Sequence, residues 1–118
     1  MIAFHGTADP ICPHNDGPSK LGGGTFPSVP GFMANWSRRN HCGSNTIRSA
    51  VAADVTRLQY TDCADDADVV FYTIQGEGHQ WPGGKPVMAQ WMVAPYSSSI
   101  DATRRMGAFF RGHQLPGK

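Results

Sequence analysis

The chain has 118 residues and a net charge of +1, with ten lysines and arginines against nine acidic residues. A chain of this length is expected to form one domain, residues 1–118. Its balanced charge gives no electrostatic footprint for nucleic acid or an anionic membrane, so neither is an expected partner. No apolar run approaches the roughly 20 residues that cross a bilayer. The first residues lack the basic region and long apolar stretch of a signal peptide.

The first half of the chain predicts a short strand, a long loop and one helix. Residues 2–4 form an apolar run that is typical of a buried strand. Residues 13–27 are rich in Gly, Pro and Ser and are expected to be irregular. A helix is expected within residues 28–43, because Ser28 can cap its start and Gly43 can end it.

The second half predicts two strands and a final helix. Residues 51–61 alternate in polarity, which indicates a strand with one wet face. The acidic turn "DCADDAD" separates them from a denser apolar strand at residues 69–74, and the two strands could form a hairpin or be neighbouring strands. Residues 97–114 then show helical spacing, with Asp101 near the start. The order of elements predicts an α/β arrangement with about three strands.

The three cysteines are Cys12, Cys42 and Cys63, and their odd number leaves at least one unpaired within the chain. A bridge between Cys42 and Cys63 would close a loop of about 21 residues and stabilise the fold by roughly 3 kcal/mol. Such a bridge would indicate an exported protein.

Two loops carry residues that can do acid–base chemistry. Asp9 lies in "HGTADP", directly after the first strand, and His79 lies in "GEGHQWPG", directly after the strand at residues 69–74. Functional groups in open α/β sheets lie beyond the carboxyl ends of strands, so this Asp and His can meet. The carboxylate would then orient the imidazole, whose other nitrogen acts as a general base. Each residue alone is more typical of a turn or a solvated loop.

The two loops together resemble a known family. "AFHGTADPICPH" followed by "IQGEGHQWPGG", with "SVPGFMANWSRRNHC" and "LQYTDC" between them, resembles the carboxy-terminal part of the feruloyl esterase and polyhydroxybutyrate depolymerase group of α/β-hydrolases. The resemblance implies a truncated α/β-hydrolase fold, with a few-stranded, mostly parallel sheet and flanking helices. It also implies a secreted serine esterase without a cofactor, with Cys42 and Cys63 paired.

By the same resemblance, Asp9 is the acid and His79 the base of a catalytic triad. The predicted substrate contacts are His5, Trp81, Pro82 and Gly83. The substrate would be an ester of the plant cell-wall or polyester type. The expected nucleophile is a serine on a Gly-x-Ser-x-Gly turn upstream of Asp9, and the chain contains no such motif.

The missing nucleophile leads to an expectation about partners. An apolar strand that would normally lie inside a sheet leaves an unpaired edge, which is a template for association. The chain is therefore expected either to form a homo-oligomer or to pair with a missing amino-terminal part that covers this edge.

Three alternatives remain open from the residues. Cys12 could be the nucleophile of a Cys-His-Asp set, although a small packing role is more typical. The chain could be a catalytically incomplete fragment that binds carbohydrate or an aromatic ligand through Trp36, Trp81 and Trp91. A metal site built on the histidines around Asp9 is the weakest alternative, because their spacing does not match that of metal ligands.

Overall fold

A computed structural model of the chain describes residues 1–86 and 88–115. The first half contains three strands and a helix: β1 (Ile2–Gly6), β2 (Gly17–Pro18), β3 (Thr25–Phe26) and α1 (Val29–Arg39). The second half contains β4 (Thr46–Ala52), β5 (Val55–Tyr60), β6 (Val69–Ile74), α2 (Gln90–Val93) and α3 (Ala102–Gly112), with a 3₁₀ turn at Ala64–Asp66. No helix in the described ranges is long and apolar enough to cross a membrane.

The main sheet has four strands in the order β1-β6-β5-β4. β1 pairs with β6 in parallel, whereas β6 with β5 and β5 with β4 are antiparallel. The prediction of a mostly parallel, α/β-hydrolase-like sheet with flanking helices is therefore wrong: the sheet is mixed and mostly antiparallel, and helices are few. The connections explain this, because parallel neighbours need a crossover of about a dozen residues or more. β4 and β5 are joined by residues 53–54, and β5 and β6 by residues 61–68.

The core lies on both faces of β6, whose side chains alternate between two clusters. Val69 and Phe71 pack with Met33 of α1 on one face. Val70, Tyr72 and Ile74 pack on the other face with Val55, Ile100 and Phe109, the last of which belongs to α3. β6 is buried on both faces, which is why five of its six residues are apolar or aromatic.

α1 and α3 both begin at a side-chain cap. Ser28 Oγ accepts the backbone N–H of Gly31 at 3.1 Å, and Asp101 Oδ1 accepts that of Arg104 at 2.9 Å. These bonds satisfy donors that the first helical turn leaves free.

A disulfide joins Cys42, just after α1, to Cys63, just after β5. The prediction of this pair is confirmed. Cys12 is a free, partly buried thiol. The disulfide is consistent with an extracellular protein.

Candidate functional site

The parallel pair of β1 and β6 brings two loops to the same edge of the sheet. Gly6 at the end of β1 lies opposite Ile74 at the end of β6. Thr7 N–H then donates to the Ile74 carbonyl at 3.0 Å, and Ala8 N–H donates to the Glu77 carbonyl at 2.9 Å. The loop that carries Asp9 is thus bonded through its backbone to the loop that carries His79.

Two glycines allow these loops to approach so closely. A Cβ on Gly6 would overlap the Glu77 carbonyl, and a Cβ on Gly78 would overlap the Val93 carbonyl. Both obstacles are backbone atoms, which cannot rotate aside as a flexible side chain can. The glycines beside His5 and His79 therefore reflect close backbone packing around the site.

Asp9 is buried, and its carboxylate has a donor on each oxygen. Oδ1 accepts the backbone N–H groups of Ile11 and Cys12, both at 2.8 Å. Oδ2 lies 2.8 Å from Nδ1 of His79. The side chain is only 4% exposed, so these bonds fix the carboxylate in one orientation.

His79 has one nitrogen on Asp9, and its side chain remains 47% exposed. Its backbone N–H donates to the Val93 carbonyl at 2.6 Å, which anchors the residue beside α2. When Nδ1 donates to the Asp9 carboxylate, Nε2 carries a lone pair. A neutral imidazole with Nε2 unprotonated can take a proton from an attacking oxygen.

His5 lies on the other side of Asp9 without bonding to it. Its Nε2 is 3.7 Å from Asp9 Oδ2, which is too long for a hydrogen bond. Its Nδ1 is 2.9 Å from the Gly6 carbonyl oxygen, and its ring packs against His14. His5 therefore forms a wall beside the Asp9–His79 pair.

A pocket of about 370 Å³ opens onto the pair. Its lining includes Phe4, His5, Asp9, Cys12, His79 and Trp81. Trp81 Nε1 donates to Thr103 Oγ1 at 2.8 Å, and its ring meets Phe4 edge-on. Of the predicted substrate contacts, His5 and Trp81 line this pocket, whereas Pro82 is buried and Gly83 packs against the backbone of Ile100.

A second, apolar pocket of about 320 Å³ shares Phe4, His5 and Cys12 with the first. Its remaining lining comes mainly from the loop before α1 and from α1 itself, including Phe26, Phe32 and Met33. An apolar group bound in this second pocket would therefore lie next to the pocket that opens onto the Asp9–His79 pair.

Cys12 borders both pockets, but its surroundings oppose a thiolate. Burial, and then the negative charge of Asp9, raise the pKa of the Cys12 thiol. A nucleophilic cysteine needs the opposite, an electropositive site that lowers its pKa. The raised pKa of Cys12 therefore gives no support to this residue as an attacking group.

The three tryptophans of the proposed binding surface lie apart. Trp36 packs beside the α1 core cluster, Trp81 lines the larger pocket, and Trp91 is 84% exposed. Within residues 1–86 and 88–115, no group of three or more His, Cys, Asp and Glu could hold a metal ion.

The sequence reasoning did not single out Glu77, which is buried two residues before His79. The one sequence feature that could have indicated its role is its position between two glycines, in the loop that carries His79. No family model, curated protein or solved structure matches the chain.

Proposed function

We propose that the chain supplies the acid–base pair of a carboxylic ester hydrolase. The observation that carries the proposal is the bond of 2.8 Å between Asp9 Oδ2 and His79 Nδ1, at the mouth of a pocket. A buried carboxylate on one imidazole nitrogen with the other nitrogen accessible is the arrangement that hydrolases use for general-base catalysis. The resemblance of the two loops to feruloyl esterases and polyhydroxybutyrate depolymerases adds support.

In this mechanism His79 Nε2 removes the proton of the attacking oxygen, and Asp9 stabilises the imidazolium that forms. His79 then returns the proton to the leaving alcohol. In the family that the loops resemble the attacking oxygen belongs to a serine on a Gly-x-Ser-x-Gly turn, and this chain contains no such turn. A water molecule activated by His79 would give a slower reaction through the same pair.

The substrate is an ester of the feruloyl, acetyl or polyester type. The apolar pocket next to the pair supports this class, because an aromatic or aliphatic acyl group would be desolvated there. The same pocket favours a second candidate, a module that binds an aromatic or carbohydrate ligand without cleaving it.

Hydrolysis of 4-nitrophenyl acetate by the purified chain tests the proposal. We expect a rate above the buffer blank, and we expect His79→Ala to return it to the blank. His113→Ala is the matched control, because His113 lies 3.6 Å from Asp68 in a second His–Asp pair far along the sheet. Serine-directed phosphonate labelling would then show whether a serine of this chain reacts.

A parent chain that matches the blank, alone and at high concentration, would contradict hydrolysis by this chain. Binding of ferulate or an oligosaccharide by such an inactive chain would favour the second candidate. Equal loss of activity in His79→Ala and His113→Ala would show a general structural effect instead of a catalytic one.

We also propose that the outer edge of β1 is covered by another strand, from a second copy of the chain or from a separate amino-terminal part. No described strand lies along that edge. The Met1 carbonyl and the Thr7 N–H bond to β6, so the backbone groups of Ile2 and Phe4 face outward. β1 has no Lys, Arg, Asp or Glu side chain that would discourage pairing with another strand. The opposite edge strand, β4, has Arg48 and an irregular register.

Light scattering tests the homo-oligomer. We expect a mass above that of one chain at micromolar concentration, and we expect Ile2→Pro to lower it, because proline removes an N–H that faces the open edge. Ile2→Ala is the control, since it removes the same side chain but keeps the N–H. A single-chain mass for the parent at every concentration would contradict the homo-oligomer and leave the separate amino-terminal part as the partner.

Export of the protein is part of the same proposal. The Cys42–Cys63 disulfide supports it, because disulfides persist in oxidising compartments.

A further inference from the structure

Glu77 is a carboxyl group buried in the loop that carries His79. The residue is 1% exposed, which is rare for a glutamate unless it is paired. Its Oε2 accepts the backbone N–H of Ser97 at 2.7 Å. Its Oε1 is also buried and has no hydrogen-bond partner among the described residues. One oxygen of a buried acid is therefore satisfied and the other is not.

A second carboxyl group, that of Asp54, also has one buried oxygen without a hydrogen-bond partner among the described residues. Asp54 lies in the turn between β4 and β5, and its Oδ2 accepts the hydroxyl of Ser97 at 2.8 Å. Its Oδ1 is buried without a partner in the described part of the chain. Ser97 thus joins Glu77 through its backbone and Asp54 through its side chain, with one unsatisfied oxygen left on each acid.

Because Ser97 bonds to both carboxyl groups, the two acids belong to one site and can hold a single proton between them. Two neighbouring carboxylates cannot both remain ionised cheaply in a buried site, and one of them then keeps its proton. The pKa values of the two groups are shifted in opposite directions, so Glu77 is the acid that keeps the proton. Burial, and the charge of Asp54, raise the pKa of Glu77 to about 7, although the Ser97 N–H opposes this. The hydroxyls of Ser99 and Ser97 lower the pKa of Asp54.

The backbone of Glu77 connects this acid pair to the candidate site. Its carbonyl accepts the Ala8 N–H, next to Asp9, at 2.9 Å. The following residues, Gly78 and His79, donate to the carbonyls of Pro95 and Val93 at 2.7 and 2.6 Å. Ser97, which Glu77 holds, belongs to this same segment after α2. The Glu77 side chain therefore fixes the segment against which His79 is anchored.

We propose that Glu77 is a positioning residue for His79, and that it acts as a neutral carboxylic acid, so that the two carboxyl groups bridged by Ser97 hold one proton between them. The shared proton ties the β4–β5 turn, the His79 loop and the segment after α2 into one unit. The positioning role rests on the proposed function, whereas the proton shared by the two acids does not. Of the charged groups in the described residues, Asp54 faces Glu77. Asp9 and His79 lie in the loops packed on its backbone and are bonded to each other.

The pH dependence of stability tests the shared proton. Because the folded state holds the Glu77 proton more tightly than the unfolded chain, stability is lost as pH rises from the ordinary glutamate pKa of 4.5 to the raised pKa of about 7. Glu77→Gln keeps an acceptor for the Ser97 N–H and is uncharged at every pH, as the protonated Glu77 is. We therefore expect the urea midpoint of the parent to fall relative to Glu77→Gln between about pH 5 and pH 8.

The comparison with Glu77→Gln cancels the titration of the histidines, which both proteins share. Asp65→Asn, an exposed carboxylate in the 3₁₀ turn, is the matched control and should follow the parent. Carbon-13 NMR of the carboxyl groups gives a direct reading, with Glu77 expected to titrate near neutral pH. A Glu77 carboxyl that titrates near its ordinary value, or a midpoint difference that does not change with pH, would overturn the shared proton.

The positioning role is tested on the proton that His79 Nδ1 shares with Asp9. We expect its downfield proton NMR resonance to persist in Glu77→Gln and to be lost or broadened in Glu77→Ala. In the hydrolysis assay, Glu77→Ala should lower kcat roughly 10- to 100-fold with little change in KM, and Glu77→Gln should restore most of the rate.

The NMR readout separates this inference from the proposed function. A chain that hydrolyses nothing but shows the resonance and its loss in Glu77→Ala would refute the hydrolase and support the positioning. If Glu77→Ala does not fold, the Glu77→Gln variant still decides, because loss of the resonance in that isosteric variant at about pH 6 would overturn the positioning role.

Discussion

Replacing Asp9 by asparagine is expected to lower kcat/KM for ester hydrolysis by roughly 10²- to 10⁴-fold with little loss of stability. The asparagine carbonyl can still accept the two backbone N–H groups that Asp9 Oδ1 holds. Its amide nitrogen would then face His79 Nδ1 as a donor. The imidazole would have to place its proton on Nε2, the nitrogen that must accept a proton from the attacking group.

The measurement is kcat/KM with 4-nitrophenyl acetate, together with the urea midpoint. Asp16→Asn is a suitable control, because Asp16 is an exposed carboxylate in the loop after β1. Asp9→Ala would be less informative, since it also leaves two backbone donors without an acceptor. Activity of Asp9→Asn within about threefold of the parent would remove Asp9 from the mechanism.

Loss of the Cys42–Cys63 disulfide is expected to lower the free energy of unfolding by about 3 kcal/mol. The bridge joins residues 21 apart and restricts the unfolded chain. Domains of this size have a total stability of about 5–15 kcal/mol, so the loss is a large fraction of it. The bridge also ties the end of α1 to the end of β5, at the opposite end of the strands from the site.

Urea unfolding of a Cys42→Ser, Cys63→Ser double variant measures this effect. The comparison is best made in a Cys12→Ala background, so that no free thiol can exchange with the bridge. Reduction of the Cys12→Ala protein should reproduce the loss, whereas reductant should not affect the triple variant. A change of less than about 1 kcal/mol would mean that the unfolded chain is already restricted in this region.

The sequence predicted the elements that frame the site more accurately than their arrangement. The apolar runs of β1 and β6 and the cap at Ser28 gave strong local signals. β4 was missed because its residues are mostly exposed at the edge of the sheet, where apolar alternation is weak. Its turn with β5, at residues 53–54, also lacks the Gly, Asn or Pro that usually marks a hairpin.

The antiparallel pairing of β5 and β6 was one of two possibilities that the sequence left open, and their short connection favours it. The contact of Asp9 with His79 was predicted, and it depends on the one parallel pairing of this sheet. The Glu77–Asp54 pair could not be predicted, because Asp54 lies in a turn that is distant in sequence. Nothing in its local pattern indicates that it shares Ser97 as a hydrogen-bond partner with a buried acid.

The pairing of β1 with β6 has a consequence for how the site forms. It joins Ile2 to Val70, whereas β4, β5 and β6 are connected through short links and form a local meander. Closing a long stretch of chain costs more entropy than closing a hairpin, so the meander can exist while β1 is detached. Asp9 leaves with β1, and His79 remains with β6. The acid–base pair is therefore a property of the completely folded chain alone, and a partly opened molecule that keeps most of its sheet has already lost it.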